Sequence, residues 1–415
     1  YLSPEVFGSL ALSVIYAAFV VGILNLGLIS AFERNYFEQK NSKETLELMW
    51  TCIIFVFINL SVGILITFEF EESINNLLFG RKLPNNLTVL AILHLSAKSI
   101  LQYFYIYLRN AKKANDYALI SISEAILCVS LSIYFVFNQS GIIGYIFGQV
   151  IGVIILLLLL FFLAIVKKQI NFKKDFLKEN LSLSLPLIPR VFFGTINTQF
   201  DRYMLGILDT KGGVGIYDIG QKVANLGFLF MTVLQQVFSP EVFSSYMSKP
   251  SNFSRHIGEY LTPFFFVSLF FCLSLGIFSQ EIIYLLTTPS YYNAFPIVII
   301  LNMLYATYFF GKQPQLLLAK KTKLISFLSL IAVGLNIIIN IPLIKLYGIM
   351  GAALGTFFSG IIVACISFYY AQKHAKILYN KHVYLMYVLF QISMFVILFM
   401  WGFEVTYFLI IIIKL

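Results

Sequence analysis

Two stretches of this chain carry ionisable side chains at helical spacing inside otherwise apolar sequence. Over residues 185–209, Arg190, Gly194, Asn197, Thr198 and Asp201 fall on one face of a helix, with Arg202 beside it. Over 215–238, Asp218, Gln221, Lys222, Asn225, Thr232 and Gln236 follow the same rule. A weaker version precedes them, with His94, Lys98 and Gln102 at successive steps of four, then Ser121, Glu124, Cys128 and Ser132. Asn302, Tyr305 and Lys312, then Asn336 and Asn340, come later. Ionisable groups at bilayer depth are costly, and they face a cavity or a partner of opposite charge.

Arg190, Lys222, Lys98 and Lys312 outnumber the acids at comparable depth, so these stripes are expected to line a water-filled, net-cationic cavity. Such a cavity suits an anionic cargo, and the planar fork of arginine suits phosphate. Glu124, Asp201 and Asp218 are the candidates for ion coupling. The competing reading pairs Asp218 with Lys222, Asp201 with Arg202 and Lys98 with Glu124 as neutralised structural contacts.

The elements that hold these groups follow from composition. With 415 residues, 59% of them hydrophobic, 12% charged and a mean hydropathy of +0.86, the apolar surface is too large for one water-soluble core. A bilayer must cover it. Apolar stretches long enough to span about 30 Å of hydrocarbon occur near 8–32, 47–68, 86–108, 117–138 and 142–166. Seven more lie near 185–209, 215–238, 258–280, 295–316, 324–346, 350–371 and 384–402, and a shorter one covers 404–415. All are expected to be helices, because a run in lipid must satisfy its own backbone hydrogen bonds.

Loops at alternating positions, from 33–46 to 372–383, hold 19 lysines and arginines, whereas the other set, from 69–85 to 347–349, holds 3. That asymmetry places the first set in the cytoplasm. The net charge of +10 is therefore topological, and no nucleic acid is needed to explain it. Cys52, Cys128, Cys272 and Cys365 all fall within spans, without the paired spacing of a metal site. There is no phosphate loop, no His-Glu-x-x-His and no Gly-x-Ser-x-Gly, so the chain is read as a non-enzyme that needs no cofactor or metal.

An internal repeat organises the spans. Gly141-Ile142-x-Gly144-x-x-x-Gly148 recurs 207 residues later as Gly348-Ile349-x-Gly351-x-x-x-Gly355, and Phe7-Gly8 matches Val214-Gly215. Six spans separate Gly8 from Gly215, and an even number makes the two copies parallel, related by an axis along the membrane normal. The expected fold is all-α and polytopic, with two six-helix lobes and about two further C-terminal helices. Its parts are an N-terminal lobe at 1–166, a lysine-rich cytoplasmic linker at 167–184, a C-terminal lobe at 185–371 and additional helices at 372–415. The repeat partner of 185–209 would precede Tyr1, so the natural protein is expected to begin with one more transmembrane helix.

Several stretches resemble a known family. Tyr1-Leu-Ser-Pro-Glu-Val-Phe-Gly8, Asn25-Leu-Gly-Leu28 and Glu33-Arg-Asn-Tyr-Phe37 are similar to the second helix of bacterial polysaccharide-repeat-unit flippases. These belong to the multidrug, oligosaccharidyl-lipid and polysaccharide exporter superfamily. Pro186-Leu-Ile-Pro189, Asp201-Arg-Tyr-Met-Leu-Gly206, Val214-Gly-Ile-Tyr217 and Ser239-Pro240 resemble its seventh and eighth helices. Asn336-Ile-Ile-Ile-Asn340 through Tyr347-Gly-Ile-Met-Gly-Ala-Ala353 resembles its eleventh helix and the turn beyond. The likeness implies alternating access in the bacterial inner membrane, moving undecaprenyl-diphosphate-linked oligosaccharide to the outer leaflet for O-antigen or capsule assembly. It implies a cationic cavity at Lys98, Arg190, Arg202, Lys222 and Lys312, with Asn197 among the polar contacts. Expected partners are the lipid-linked oligosaccharide, membrane lipids, a polysaccharide polymerase and chain-length machinery. A cation-coupled drug exporter or a peptidoglycan lipid-precursor flippase of the same fold is the alternative, and a membrane glycan polymerase is a third reading.

Overall fold

The computed structural model describes residues 3–36, 39, 41–79, 86–167, 169–185, 188–209, 211–248, 252–311, 315–318 and 321–402. Among these residues the secondary structure is helical throughout, and nine helices are long and apolar enough to cross a membrane. The expected all-α, polytopic membrane architecture is what the chain adopts. It divides into two compact units, Tyr1–Ile207 and Leu208–Leu415.

In the first unit, α1 (Pro4–Leu24) starts where Pro4 sets the backbone angle and the Ser3 hydroxyl accepts the Val6 N–H at 3.4 Å. It stops at Asn25, because Leu26 (φ 52°) and Gly27 (φ 70°) take left-handed conformations, and α2 (Leu28–Asn35) restarts beyond them. The stretch near 8–32 is therefore two helices rather than one. A break at this depth must satisfy its own polar groups. Asn25 does so: its Nδ2 donates to Ser99 Oγ at 2.7 Å, and its Oδ1 accepts from Tyr103 at 3.2 Å and from the Ile29 N–H at 3.3 Å.

Helix α3 (Ser42–Phe79) bends at Phe70, and beyond the bend Glu71 accepts the Asn86 and Thr88 N–H groups, both at 3.0 Å. It thereby caps α4 (Leu87–Asn110) from outside that helix. Next come α5 (Ala114–Phe135), a single wide π-helical turn (Val136–Ser140) and α6 (Gly141–Val166). The outer face of α5 exposes Leu119, Ile122, Ile126, Val129 and Ile133 at helical spacing, an apolar stripe suited to a lipid surround. The segment after α6 folds onto the same unit. Lys173 pairs with Glu47 at 2.5 Å, and α7 (Lys174–Ser184) docks on α2 through an Asn35–Asn180 side-chain hydrogen bond at 3.2 Å. Helix α8 (Ile188–Leu208) completes the unit.

The second unit comprises α9 (Lys211–Ser248), α10 (Phe253–Ile277), the short α11 (Ser279–Leu286), α12 (Phe295–Gly311), α13 (Gln315–Leu318), α14 (Thr322–His374) and α15 (Lys381–Gly402). Helices α8 and α9 carry the two polar stripes of 185–209 and 215–238.

The 207-residue period reappears in the backbone. Helix α4, shifted by one period, covers 294–317, the range of α12 and α13; the spans at these two helices are the most buried of their units, at 67% and 89%. Gly141 and Gly348, one period apart, both have positive φ, 53° and 55°. On either side of each glycine the helices run antiparallel. Gly148 packs on Ser132 and Gly152 on Cys128 in the first unit, while Gly355 packs on Asn340 and Gly351 on Leu343 in the second. The stretches 324–346 and 350–371 are thus one helical hairpin that turns at Gly348. A side chain there adopts a disfavoured conformation, so Gly141→Ala and Gly348→Ala should each cost about 1–2 kcal/mol of stability, readable as a lower unfolding temperature in detergent. Equal unfolding temperatures for parent and variants would show that neither turn needs its glycine.

Candidate functional site

In the first unit the polar groups gather where α4 meets α5. Lys98 Nζ lies 3.0 Å from Glu124 Oε1, and Tyr105 O–H donates to Glu124 Oε2 at 2.5 Å. The lysine side chain is 46% exposed and the glutamate 13%, so the ammonium stands outward with its counter-ion behind it. The Tyr105 ring rests at 5.1 Å from that of Tyr117 on α5. His94, one turn before Lys98, is half-buried. Below this face the hairpin partner α6 contributes Gln149, whose Nε2 donates to Ser132 Oγ at 3.0 Å, while Ser132 Oγ donates to the Tyr145 carbonyl at 2.9 Å. Ser132 and Cys128, read as part of a polar stripe, therefore belong to the α5–α6 contact.

The second unit repeats the arrangement with different residues. On α9, Lys222 Nζ lies 2.9 Å from Asp218 Oδ2, with side-chain exposures of 55% and 4%. One turn further, Asn225 Oδ1 accepts the Tyr305 O–H from α12 at 2.9 Å, and the Tyr305 ring sits 5.5 Å from Phe228. Neither pair is the period-shifted image of the other. Each unit has built its own half-exposed lysine over a nearly buried carboxylate.

Other expected residues fall differently. Asp201 on α8 is buried and Arg202 half-buried. The side chains of Arg190 and Asn197, although on α8, lie outside the described residues, as does Lys312. Asn302 and Asn340, expected to line a cavity, are fully buried between helices, and Asn336 is 6% exposed. Gly227 and Gly355 cause this burial of Asn302 and Asn340: each lacks a Cβ where the asparagine amide comes to rest. Asn302 spends its Nδ2 on the Val298 carbonyl at 2.9 Å. Tyr105 was not anticipated as a partner of Glu124, although its position seven residues beyond Lys98 puts it on the same helical face. Among the described residues no group of three or more His, Cys, Asp or Glu side chains is placed to hold a metal.

The nine apolar spans among the described residues define the class as multi-pass helical membrane proteins, and solved structures of membrane proteins share the fold. One is described as the inward-facing conformation of a multidrug resistance MATE family transporter of the MOP superfamily; it matches with a TM-score of 0.68 at 15% identity, over 92% of this chain and 92% of that one. Another, lipid II flippase MurJ in an inward closed conformation, matches with a TM-score of 0.68 at 19% identity, over 99% of this chain and 94% of that one. No curated protein matches the chain. The family model described as "Polysaccharide biosynthesis protein" matches residues 1–247, more than half of the sequence. The chain belongs to that polysaccharide biosynthesis family.

Proposed function

We propose that this protein is a flippase that carries undecaprenyl-diphosphate-linked oligosaccharide from the cytoplasmic to the outer leaflet of the bacterial inner membrane by alternating access. The observation that carries the reading is the family match together with half-exposed Lys98 and Lys222 in spans that otherwise face lipid or protein. A cargo with an anionic diphosphate, a polar glycan and a long apolar tail fits such a surface: cations meet the diphosphate, amides and hydroxyls meet the sugars, and the tail stays in lipid. Arg190, Arg202, Lys312 and Asn197 would add contacts from their own spans, and Glu124, Asp201 and Asp218 are the acids available to an ion gradient. The product would feed a polysaccharide polymerase with its chain-length machinery, building O-antigen or capsule.

Deleting the gene in its host is expected to abolish surface polysaccharide and to leave lipid-linked repeat units on the cytoplasmic side. Arg190→Ala should still insert into the membrane but export about ten- to a hundredfold less glycan than the parent, the loss of a charged hydrogen bond. Normal surface glycan in the deletion strain, or ion-gradient-dependent drug resistance in cells expressing the protein, would replace this reading with a drug exporter of the same fold. Arrested peptidoglycan synthesis would replace it with a lipid-precursor flippase.

A further inference from the structure

Taking that cargo reading as given, we infer that Glu124 and Asp218 are built-in counter-ions that the cargo's diphosphate must displace, and that they keep its binding weak enough for release. Three observations carry this. Each described lysine of the two clusters already has an anion at hydrogen-bonding distance, 3.0 Å for Lys98 and 2.9 Å for Lys222. In both pairs the carboxylate is the buried partner and the ammonium the exposed one, which leaves the cation approachable from outside while its charge is largely matched. The arrangement arose twice at positions that the 207-residue repeat does not relate, since one period from Lys98 stands Tyr305 and one period from Lys222 stands Ile15.

Tyr105 adds a positioning role in the first unit. Its O–H fixes Glu124 Oε2 while Oε1 faces Lys98, so the carboxylate keeps a donor when the ammonium turns to an arriving anion. Without such a donor, losing the lysine would strand a nearly buried charge. The physical consequence is exchange rather than simple capture: part of each cation's attraction for cargo is already committed to its own carboxylate. An uncompensated cation in a low-dielectric span would hold a diphosphate tightly and turn over slowly. A transporter gains nothing from affinity that it must undo at release.

The test uses the full chain in zwitterionic lipid discs, with a polyprenyl diphosphate as the binding probe and the neutral polyprenol as control, and the same variants in liposomes to follow flipping of a fluorescent polyprenyl diphosphate. Glu124→Gln and Asp218→Asn preserve shape and remove the competitor, so each should bind the diphosphate about five- to tenfold tighter while flipping it more slowly. Damage to the fold cannot give tighter binding, which separates this role from a structural one. Tyr105→Phe should weaken diphosphate binding less than Lys98→Ala does. Lys98→Ala and Lys222→Ala should each bind more weakly, with the neutral polyprenol unaffected. If the lysine variants weaken binding but Glu124→Gln and Asp218→Asn leave it unchanged or reduce it, or tighten it without slowing flipping, the counter-ion role is wrong and the cargo reading stands. If the lysine variants bind as the parent does, the counter-ion role is wrong and the diphosphate rests on other cations; if the parent binds the diphosphate no better than the neutral polyprenol, the cargo reading itself falls.

Discussion

Gly148→Leu is expected to leave almost no folded protein in the membrane, with the variant recovered as aggregate or degraded after expression while the parent elutes as a single species. A Cβ at this position would run into the backbone of Leu131 and Ser132 on α5, and the obstruction is main chain, which cannot rotate away. Gly152, one turn further along the same face, repeats the constraint, its Cβ falling 2.8 Å from the Cys128 backbone nitrogen. The two helices can relieve such contacts only by separating. In lipid nothing but packing and a few polar contacts holds them together, because the tails outside are as apolar as the side chains within. Separation would also break the Gln149–Ser132 hydrogen bond that joins them. Overpacking of this kind costs about 1–3 kcal/mol when side chains yield, and a blocked backbone raises the cost beyond that range. The repeat-related position is a built-in comparison. At Gly355 the nearest atoms belong to the Asn340 amide, a group able to turn, so Gly355→Ala should lower the unfolding temperature less than Gly148→Ala does. Equal losses at the two sites would show that helix spacing rather than backbone obstruction sets the penalty.

The glycine period is also where the sequence was most informative about architecture. A chain-wide offset identifies corresponding positions without any knowledge of the fold, and positive φ at Gly141 and Gly348 is the backbone reason those two residues were kept as glycine. Helical spacing likewise brought Lys98 near Glu124 and Lys222 near Asp218, since one pair lies within a single helix face and the other on helices adjacent in the chain. It failed where burial depends on a neighbour remote in sequence. Asn302 and Asn340 have the spacing of cavity-lining residues, but Gly227 and Gly355 make room for them inside helix contacts. A polar residue on an apolar helix can face water or another helix. Its own sequence does not distinguish the two. The break after α1 was similarly hidden inside a continuous apolar run, because its support comes from Ser99 and Tyr103 on α4.

Removing a lysine from these clusters confounds transport with folding, and the pairing geometry supplies the means to separate them. Lys98→Met should strand the Glu124 carboxylate, 13% exposed, with Tyr105 as its remaining donor, at a cost of about 3 kcal/mol. Lower export in that variant alone would therefore be ambiguous. Lys98→Met combined with Glu124→Gln removes both charges and keeps both shapes, and Tyr105 can still donate to the amide oxygen. A buried ion pair replaced as a unit by neutral groups of similar volume is commonly neutral for stability or better, so the double variant should unfold at the parent's temperature. Its export should nevertheless fall at least about tenfold, because an anionic cargo then loses the Lys98 ammonium from this face of the first unit. The corresponding pair in the second unit, Lys222→Met with Asp218→Asn, should behave in the same way. Combining all four substitutions should bring surface glycan below detection while protein still reaches the membrane. Full export from a stable double variant would make the Lys98–Glu124 pair a structural contact and move the cargo's anion to other cations of the chain.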